Sequence, residues 1–179
     1  MIQRIVLAGA MFTVLACQKA DVAPDNVARA YSQALAGGDY AGAARLTHPE
    51  ALKQLRGLFE PLVEASPEEV GAMLFQVQSK SDFDNLADTL LFSRFINGIF
   101  GLRPELGEMM KTATTNVLGH VKGGVDTVFV VAKTEITVEG VAVSQYEVMP
   151  MARHEGEWRA LMKADFANMA QAMRQMIRD

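Results

Sequence analysis

Side chains suited to nucleophilic or metal chemistry are few in this chain of 179 residues. It has one cysteine, Cys17, and three histidines, His48, His120 and His154. The histidines lie far apart in sequence and no second cysteine accompanies them, so their spacing predicts no metal site. The sequence also lacks the phosphate-binding loop, the dinucleotide-binding glycine pattern and the Gly-x-Ser-x-Gly nucleophile turn. It therefore predicts no catalytic residue, no metal and no cofactor.

Two polar residues interrupt the apolar stretch 90–102. Arg94 and Asn97 are three positions apart, so on a helix they share a face. A buried polar pair needs partners and can mark a binding pocket. The same spacing also suits a helix that exposes one edge to water. Both interpretations stay open, and we expect the exposed edge.

Three aromatic residues fall on neighbouring predicted strands. Phe129, Tyr146 and Trp158 could line a cavity for an apolar ligand, although packing beneath the helices is the role we expect. Together with Arg94 and Asn97 they are the candidate pocket residues of the chain.

The context of Cys17 indicates processing. Arg4 precedes an uncharged and mostly apolar run, 5–15, and Ala16 stands immediately before Cys17. The run is too short to span a bilayer, which takes about 20 apolar residues. A charged start, a short apolar middle and a small residue before the cut are the parts of a secretory signal. The alternative is a buried N-terminal segment with an unreactive core cysteine.

The sequence Val14-Leu15-Ala16-Cys17 resembles the lipobox of bacterial lipoproteins. The resemblance implies that residues 1–16 are a signal peptide removed before Cys17, which then carries a thioether-linked diacylglycerol. Residues 17–24 would be the lipidated N-terminus and a tether. In such lipoproteins of two-membrane bacteria, an aspartate after the cysteine often retains the protein in the inner membrane. Gln18 stands there instead, which favours the periplasmic face of the outer membrane.

Length and charge narrow the class of protein. A chain of 179 residues has the length of about one domain. Its formal net charge is −4, and proteins that bind nucleic acid usually carry a basic surface, so no nucleic-acid partner is expected.

Helical signals occupy the first part of the chain and strand signals the second. Asp25 is a predicted N-cap, and Thr47 with Glu50 forms a predicted capping box. From residue 117 onward, alternation with many valines and threonines predicts four strands, separated by turns at Gly123-Gly124, Glu139-Gly140 and Glu155-Gly156. An amphipathic helix, 165–177, is predicted to close the chain, with Met169, Met173 and Met176 on its apolar stripe. Helices followed by a meander of strands indicate an α+β fold.

Two stretches resemble NTF2-like (SnoaL-like) domains. One is DNVARAYSQALAGGDYAGAARLTHPEAL, which looks like their opening helices. The other is YEVMPMARHEGEWRALM, where Gly156-Glu157-Trp158 enters the last strand as it does in that family. The resemblance implies a single domain over 25–179, with a curved antiparallel sheet of about four strands wrapping the N-terminal helices into a cone. The section of about 53–113 is predicted to be wholly helical, which departs from the family pattern.

Members of that family are enzymes, small-molecule binders or protein-docking modules, and fold does not choose among them. We expect a membrane-anchored, non-enzymatic envelope lipoprotein that binds an apolar small molecule, a lipid or an envelope protein. One alternative is an enzyme of the isomerase or dehydratase type. The other is a purely structural or protective lipoprotein.

Overall fold

A computed structural model describes residues 22–138, 140–163, 166, 168, 170–172 and 175. The fold is α+β: helices come first, and an open antiparallel sheet with the strand order β1-β2-β3-β4 follows. The helices are α1 (Pro24–Ala36), α2 (Tyr40–Arg45), α3 (Pro49–Ala65), a π-helix (Pro67–Phe75), α4 (Lys80–Asp84), α5 (Asp88–Leu102) and α6 (Pro104–Lys111). The strands are β1 (Thr114–Lys122), β2 (Thr127–Val138), β3 (Val141–His154) and β4 (Glu157–Ala160).

Local signals explain where the first helices begin and end. Pro24 opens α1, which places Asp25 in the first turn, where a carboxylate favours the helix dipole, and not at the predicted N-cap. Gly37 ends α1, and Gly38 continues with a φ of 76°, a conformation that glycine adopts without steric cost. Asp39 then caps α2, because its carboxylate accepts a hydrogen bond of 2.8 Å from the amide of Gly42.

The predicted capping box at Thr47 is wrong. His48 is the N-cap of α3, and its Nδ1 accepts a hydrogen bond of 3.2 Å from the amide of Glu50. Thr47 is buried, and its hydroxyl donates to the carbonyl of Ala43 at 2.9 Å. The reason is tertiary: Thr47 lies in a parallel bridge with Ala160, which turns its side chain away from the helix start.

The helices from α3 to α5, both included, share a core of four phenylalanines. Phe59, Phe75, Phe83 and Phe95 are each fully buried, and their ring centroids lie 4.8 to 5.8 Å apart. Such offset and edge-on aromatic pairs add to the stabilisation that burial provides. Pro61 does not end α3, which continues to Ala65.

Arg56 of α3 anchors the connection between α4 and α5. Its guanidinium donates to Asp88 at 2.6 Å, to the carbonyl of Phe83 at 2.9 Å and to the carbonyl of Leu86. It therefore ties α3 to two carbonyls of the connection that leads from α4 to α5.

The sheet places alternate residues on opposite faces. On β2, Val128, Val130 and Ala132 are buried against the helices. The register pairs Phe129 with Pro150 and Lys133 with Tyr146, so these residues lie on the outer face. Between Val117 and Gly119, β1 has one residue more than β2. This β-bulge shifts the pairing of the two strands by one position.

The chain continues past β4 toward a predicted closing helix, much of which lies outside the described residues. The described positions of that segment are helical, and the ring of Phe166 packs edge-on against Phe95 with centroids 5.8 Å apart. Cys17, Met169, Met173 and Met176 lie outside the described part of the chain. Within that part, no helix combines the length and apolar character that a bilayer crossing requires.

Candidate functional site

The turn between β3 and β4 orients Trp158. Glu155 and Gly156 have φ values of 51° and 80°, and a two-residue hairpin turn of this kind needs left-handed conformations at both positions. The turn pairs Arg153 with Trp158 and puts the indole on the helix-facing side of the sheet, where it is 8% exposed. The guanidinium carbon of Arg153 lies 4.6 Å from the indole centroid, a cation–π contact.

Among the described residues, the outer edge of β4 is covered at only one of its ends. The amide of Ala160 donates to the carbonyl of Leu46, and the amide of His48 donates to the carbonyl of Ala160, both at 2.8 Å. The peptide groups of a strand alternate in direction, so the N–H and C=O of Trp158, two residues earlier, point toward this same edge. Within the described residues, no backbone group bonds to them on this side, because the chain before Leu46 belongs to α2.

A groove of about 630 Å³ lies beside this uncovered edge. One wall is the start of α1, and the other is the β3–β4 hairpin. We call it the Trp158 groove, and its lining residues are Val22, Asn26, Val27, Ala30, Leu46, Arg153, Glu155, Gly156, Glu157, Trp158 and Arg159. Its volume lies in the range of ligand sites, and its lining is mostly apolar with a few polar groups, as such sites usually are.

The charges around the Trp158 groove balance. Arg153 and Arg159 contribute two positive charges, and Glu155 and Glu157 contribute two negative ones. Arg159 pairs with Glu157 at 2.5 Å and donates to the carbonyl of Arg45. Its Nε is buried, with no acceptor among the described residues. The groove therefore presents an apolar floor and a neutral rim.

The interior between the helices and the sheet is nearly filled. Two small cavities of about 20 and 80 Å³ adjoin Tyr31, Met149 and Lys163. A cavity needs about 10–15 Å³ of such volume for each water, so these spaces suit a few water molecules.

Tyr31 is a neutral hydrogen-bond donor in this interior. Burial raises the pKa of Tyr31 to about 12, against a smaller opposing effect from its hydrogen bond to Thr47. Because the hydroxyl of Thr47 already donates to Ala43, it accepts from the phenol of Tyr31. A phenol this reluctant to ionise is suited to positioning a partner rather than to removing a proton.

An ion pair forms the second polar element of the interior. Burial opposes ionisation of Glu147, but hydrogen bonds from Lys163 and Thr134 outweigh it and hold the pKa of Glu147 below its ordinary value. The Thr134 hydroxyl donates at 2.8 Å, and Thr115 lies 3.2 Å from the same hydroxyl. Lys163 follows β4, so this pair ties the start of the C-terminal segment to β3.

Arg94 and Asn97 do not share a pocket. The guanidinium of Arg94 donates to the carbonyls of Phe75 and Gln76 at 3.2 Å, so it closes the C-terminal end of the π-helix. Asn97 is exposed and borders a different depression of about 400 Å³, beside Tyr40 and Lys111. Asn97 therefore lies on a solvent-exposed edge of α5, as expected, whereas Arg94 caps the end of the π-helix.

The three candidate aromatics do not line one cavity. Phe129 and Tyr146 are 41% and 71% exposed on the outer face of the sheet, whereas Trp158 lies on the opposite face. Val121 and Val148 are also exposed on the outer face. Of the three, only Trp158 borders the groove.

The structure brings two histidines together that the sequence separates. The rings of His48 and His154 stand edge to face, 5.3 Å between centroids. Burial and the nearby His154 lower the pKa of His48, which fits its use of Nδ1 as a hydrogen-bond acceptor. Within the described residues, no group of three or more potential ligand side chains could hold a metal ion.

Sequence reasoning did not find the Trp158 groove, because its walls come from opposite ends of the described chain. The parallel pairing of residues 46–48 with Ala160 brings them together, and no local pattern encodes that pairing. Comparisons of the chain with protein-family models, with curated proteins and with solved structures find no significant match.

Proposed function

We propose that this protein is a lipid-anchored envelope lipoprotein, held through Cys17, whose NTF2-like domain is a non-enzymatic binding module. The Trp158 groove is its binding site. The observation that carries the proposal is the contrast between an open apolar groove of about 630 Å³ and interior cavities of about 20 and 80 Å³.

The interior supports binding over catalysis. An isomerase or dehydratase with its acid or base inside the cone needs space for a substrate next to that group. Beside Tyr31 and Glu147 the space suits water molecules only, and Glu147 is engaged by Lys163 and Thr134. Glu147 instead ties β3 to β2 and to the segment that follows β4.

The position of the groove supports a role at the membrane. Val22 borders the groove and lies five residues after Cys17. Five extended residues reach at most about 18 Å. A lipid on Cys17 would thus hold the groove near the membrane surface, and Gln18 favours the outer membrane.

A groove-filling substitution tests this function. Ala30 is exposed on the groove wall, so Ala30→Phe should fill it, whereas Ala41→Phe adds the same ring at an exposed position of α2 away from the groove. Native mass spectrometry of the protein extracted from its own envelope should show a retained molecule or partner. The Ala30→Phe variant should lose it, and Ala41→Phe should keep it. Equal occupancy in both variants, or no retained molecule in any of the three proteins, would refute the binding function.

A further inference from the structure

We infer that the occupant of the Trp158 groove is an extended peptide segment of a partner protein, which adds as a strand to the free edge of β4. The inference rests on the proposed function and names the partner class for that site. The partner segment has no net charge and carries apolar side chains at alternate positions.

The backbone of β4 provides the first argument. By strand alternation, the N–H and C=O of Trp158 point to the edge beside the groove that segment 46–48 already uses at Ala160. That segment shows that this edge accepts main-chain pairing from a neighbouring stretch of chain. A peptide that continues along the edge from Leu46 would meet an amide donor and a carbonyl acceptor at Trp158. Main-chain pairing of this kind is how extended peptides bind to exposed sheet edges.

The side chains of the groove provide the second argument. In an added strand, alternate side chains point to the same face. On the helix side, that face meets the indole of Trp158 together with Val27 and Ala30 of α1. Apolar side chains at alternate positions of the peptide would fill this space, and those between them would point away from α1.

The charge of the groove provides the third argument. Arg153, Arg159, Glu155 and Glu157 sum to zero, so the rim favours neither an anionic nor a cationic segment. The edge offered at Trp158 is short, because β4 has four residues and Ala160 is already paired. Apolar contacts therefore set the affinity, and the two backbone hydrogen bonds set the orientation of the peptide.

The experiment uses the full lipidated chain, reconstituted in phosphatidylcholine vesicles, and heptapeptides selected on it from a random display library. Trp158 is the only tryptophan of the chain, so its emission reports on the groove directly. Hydrogen exchange at single-residue resolution reports on the edge. A bound peptide should shift the emission and slow exchange of the Trp158 amide at least tenfold. The Ala160 amide, which already donates to Leu46, serves as the internal control.

A chemical control isolates the backbone pairing. The selected peptide with N-methyl groups at alternate residues keeps its side chains but cannot donate to the carbonyl of Trp158, so its affinity should fall at least tenfold. Failure to select any peptide, or binding that leaves the Trp158 amide unprotected, overturns the inference.

Palmitate, tested on the same vesicles, distinguishes a failure of the peptide inference from a failure of the proposed binding function. If palmitate shifts the emission of Trp158 without protecting its amide and no peptide does so, the groove binds an apolar small molecule. The inference then falls while the binding function stands. If neither probe binds and Ala30→Phe also leaves the native occupancy unchanged, both fall.

Discussion

The backbone of Leu74 lies directly against Gly98. A Cβ atom at Gly98 would stand 2.6 Å from the carbonyl oxygen of Leu74 and 2.8 Å from its Cα. The absent side chain is what lets α5 approach the π-helix this closely. The contact sits beside the phenylalanine core, since Phe75 directly follows Leu74 and Phe95 lies about one helical turn before Gly98.

Gly98→Ala should therefore destabilise the protein by about 1–3 kcal/mol, the usual range for overpacking a close contact. Gly101 lies in the same helix, and among the described residues nothing lies within 4 Å of its Cβ position, so Gly101→Ala is the matched control. It should stabilise the protein by up to about 1 kcal/mol through helix propensity. Urea denaturation of both variants measures the difference, and equal effects of the two substitutions would contradict the close approach.

Tyr31 should give the protein an alkaline instability of its own. The pKa of Tyr31 is about 12 in the folded chain and 10.0 in the reference state. Between these values the folded state retains the proton that the unfolded state releases, so stability is complete below about pH 10 and falls as pH rises toward 12. A difference of this size corresponds to a loss of about 3 kcal/mol.

Tyr31→Phe removes this loss. When the free energy of unfolding is measured against pH, the curve of this variant should fall less steeply above about pH 10 than that of the native chain. At neutral pH it should cost about 1 kcal/mol, because Thr47 loses the phenol that donates to it. Tyr146→Phe, at an exposed position, should leave the neutral stability unchanged. If the free energy of unfolding falls equally steeply at alkaline pH in the native chain and in Tyr31→Phe, Tyr31 ionises as readily in the folded as in the unfolded chain.

Much of this architecture follows from local sequence. The order of helices and strands and the α+β class with four antiparallel strands were predicted, and the structure confirms them. On β2, however, Phe129 is exposed on the face opposite Val128 and Val130, so it does not pack beneath the helices as expected. Local patterns succeed along β2 because Val128, Val130 and Ala132 form one buried face.

Long-range pairing accounts for the features that sequence did not predict. Thr47 is a good N-cap by type, but its bridge to Ala160 turns its hydroxyl toward Ala43 and leaves capping to His48. The carbonyls that Arg94 caps belong to the end of a π-helix, which helical periodicity does not distinguish from an α-helix. The Trp158 groove depends on the same bridge. Tertiary contacts override local preference at each of these places.

Glu147 should confer acid sensitivity. Its pKa is held below the ordinary value by Lys163 and Thr134 despite burial. The stability it contributes is therefore present above its unfolded pKa and is lost as pH falls through the lower, folded pKa. Glu147→Gln should cost about 1–3 kcal/mol at neutral pH, as expected for loss of a hydrogen bond to a charged group.

The acid limb of the stability curve is the measurement for Glu147. It should be less steep in Glu147→Gln than in the native chain. Glu135 pairs with Lys133 at 2.5 Å on the open face of the sheet, and solvent screens such a pair, so Glu135→Gln should change the stability little. Identical acid limbs in the native chain and in Glu147→Gln would show that the Glu147 carboxylate gains nothing from its partners.

Cys17→Ser tests the anchor itself. Without the thiol no diacylglycerol can be attached, and a stable hold on the membrane takes two acyl chains or an equivalent second signal. The variant should lose the lipid mass on intact-protein mass spectrometry, retain residues 1–16, and leave the membrane fraction after a carbonate wash. Gln18→Asp keeps the lipid but introduces the residue associated with inner-membrane retention, so it should shift the protein between membranes on a sucrose gradient without releasing it. If the native chain carries no lipid mass and fractionates as Cys17→Ser does, the lipid anchor is wrong, while the groove can still be tested by Ala30→Phe.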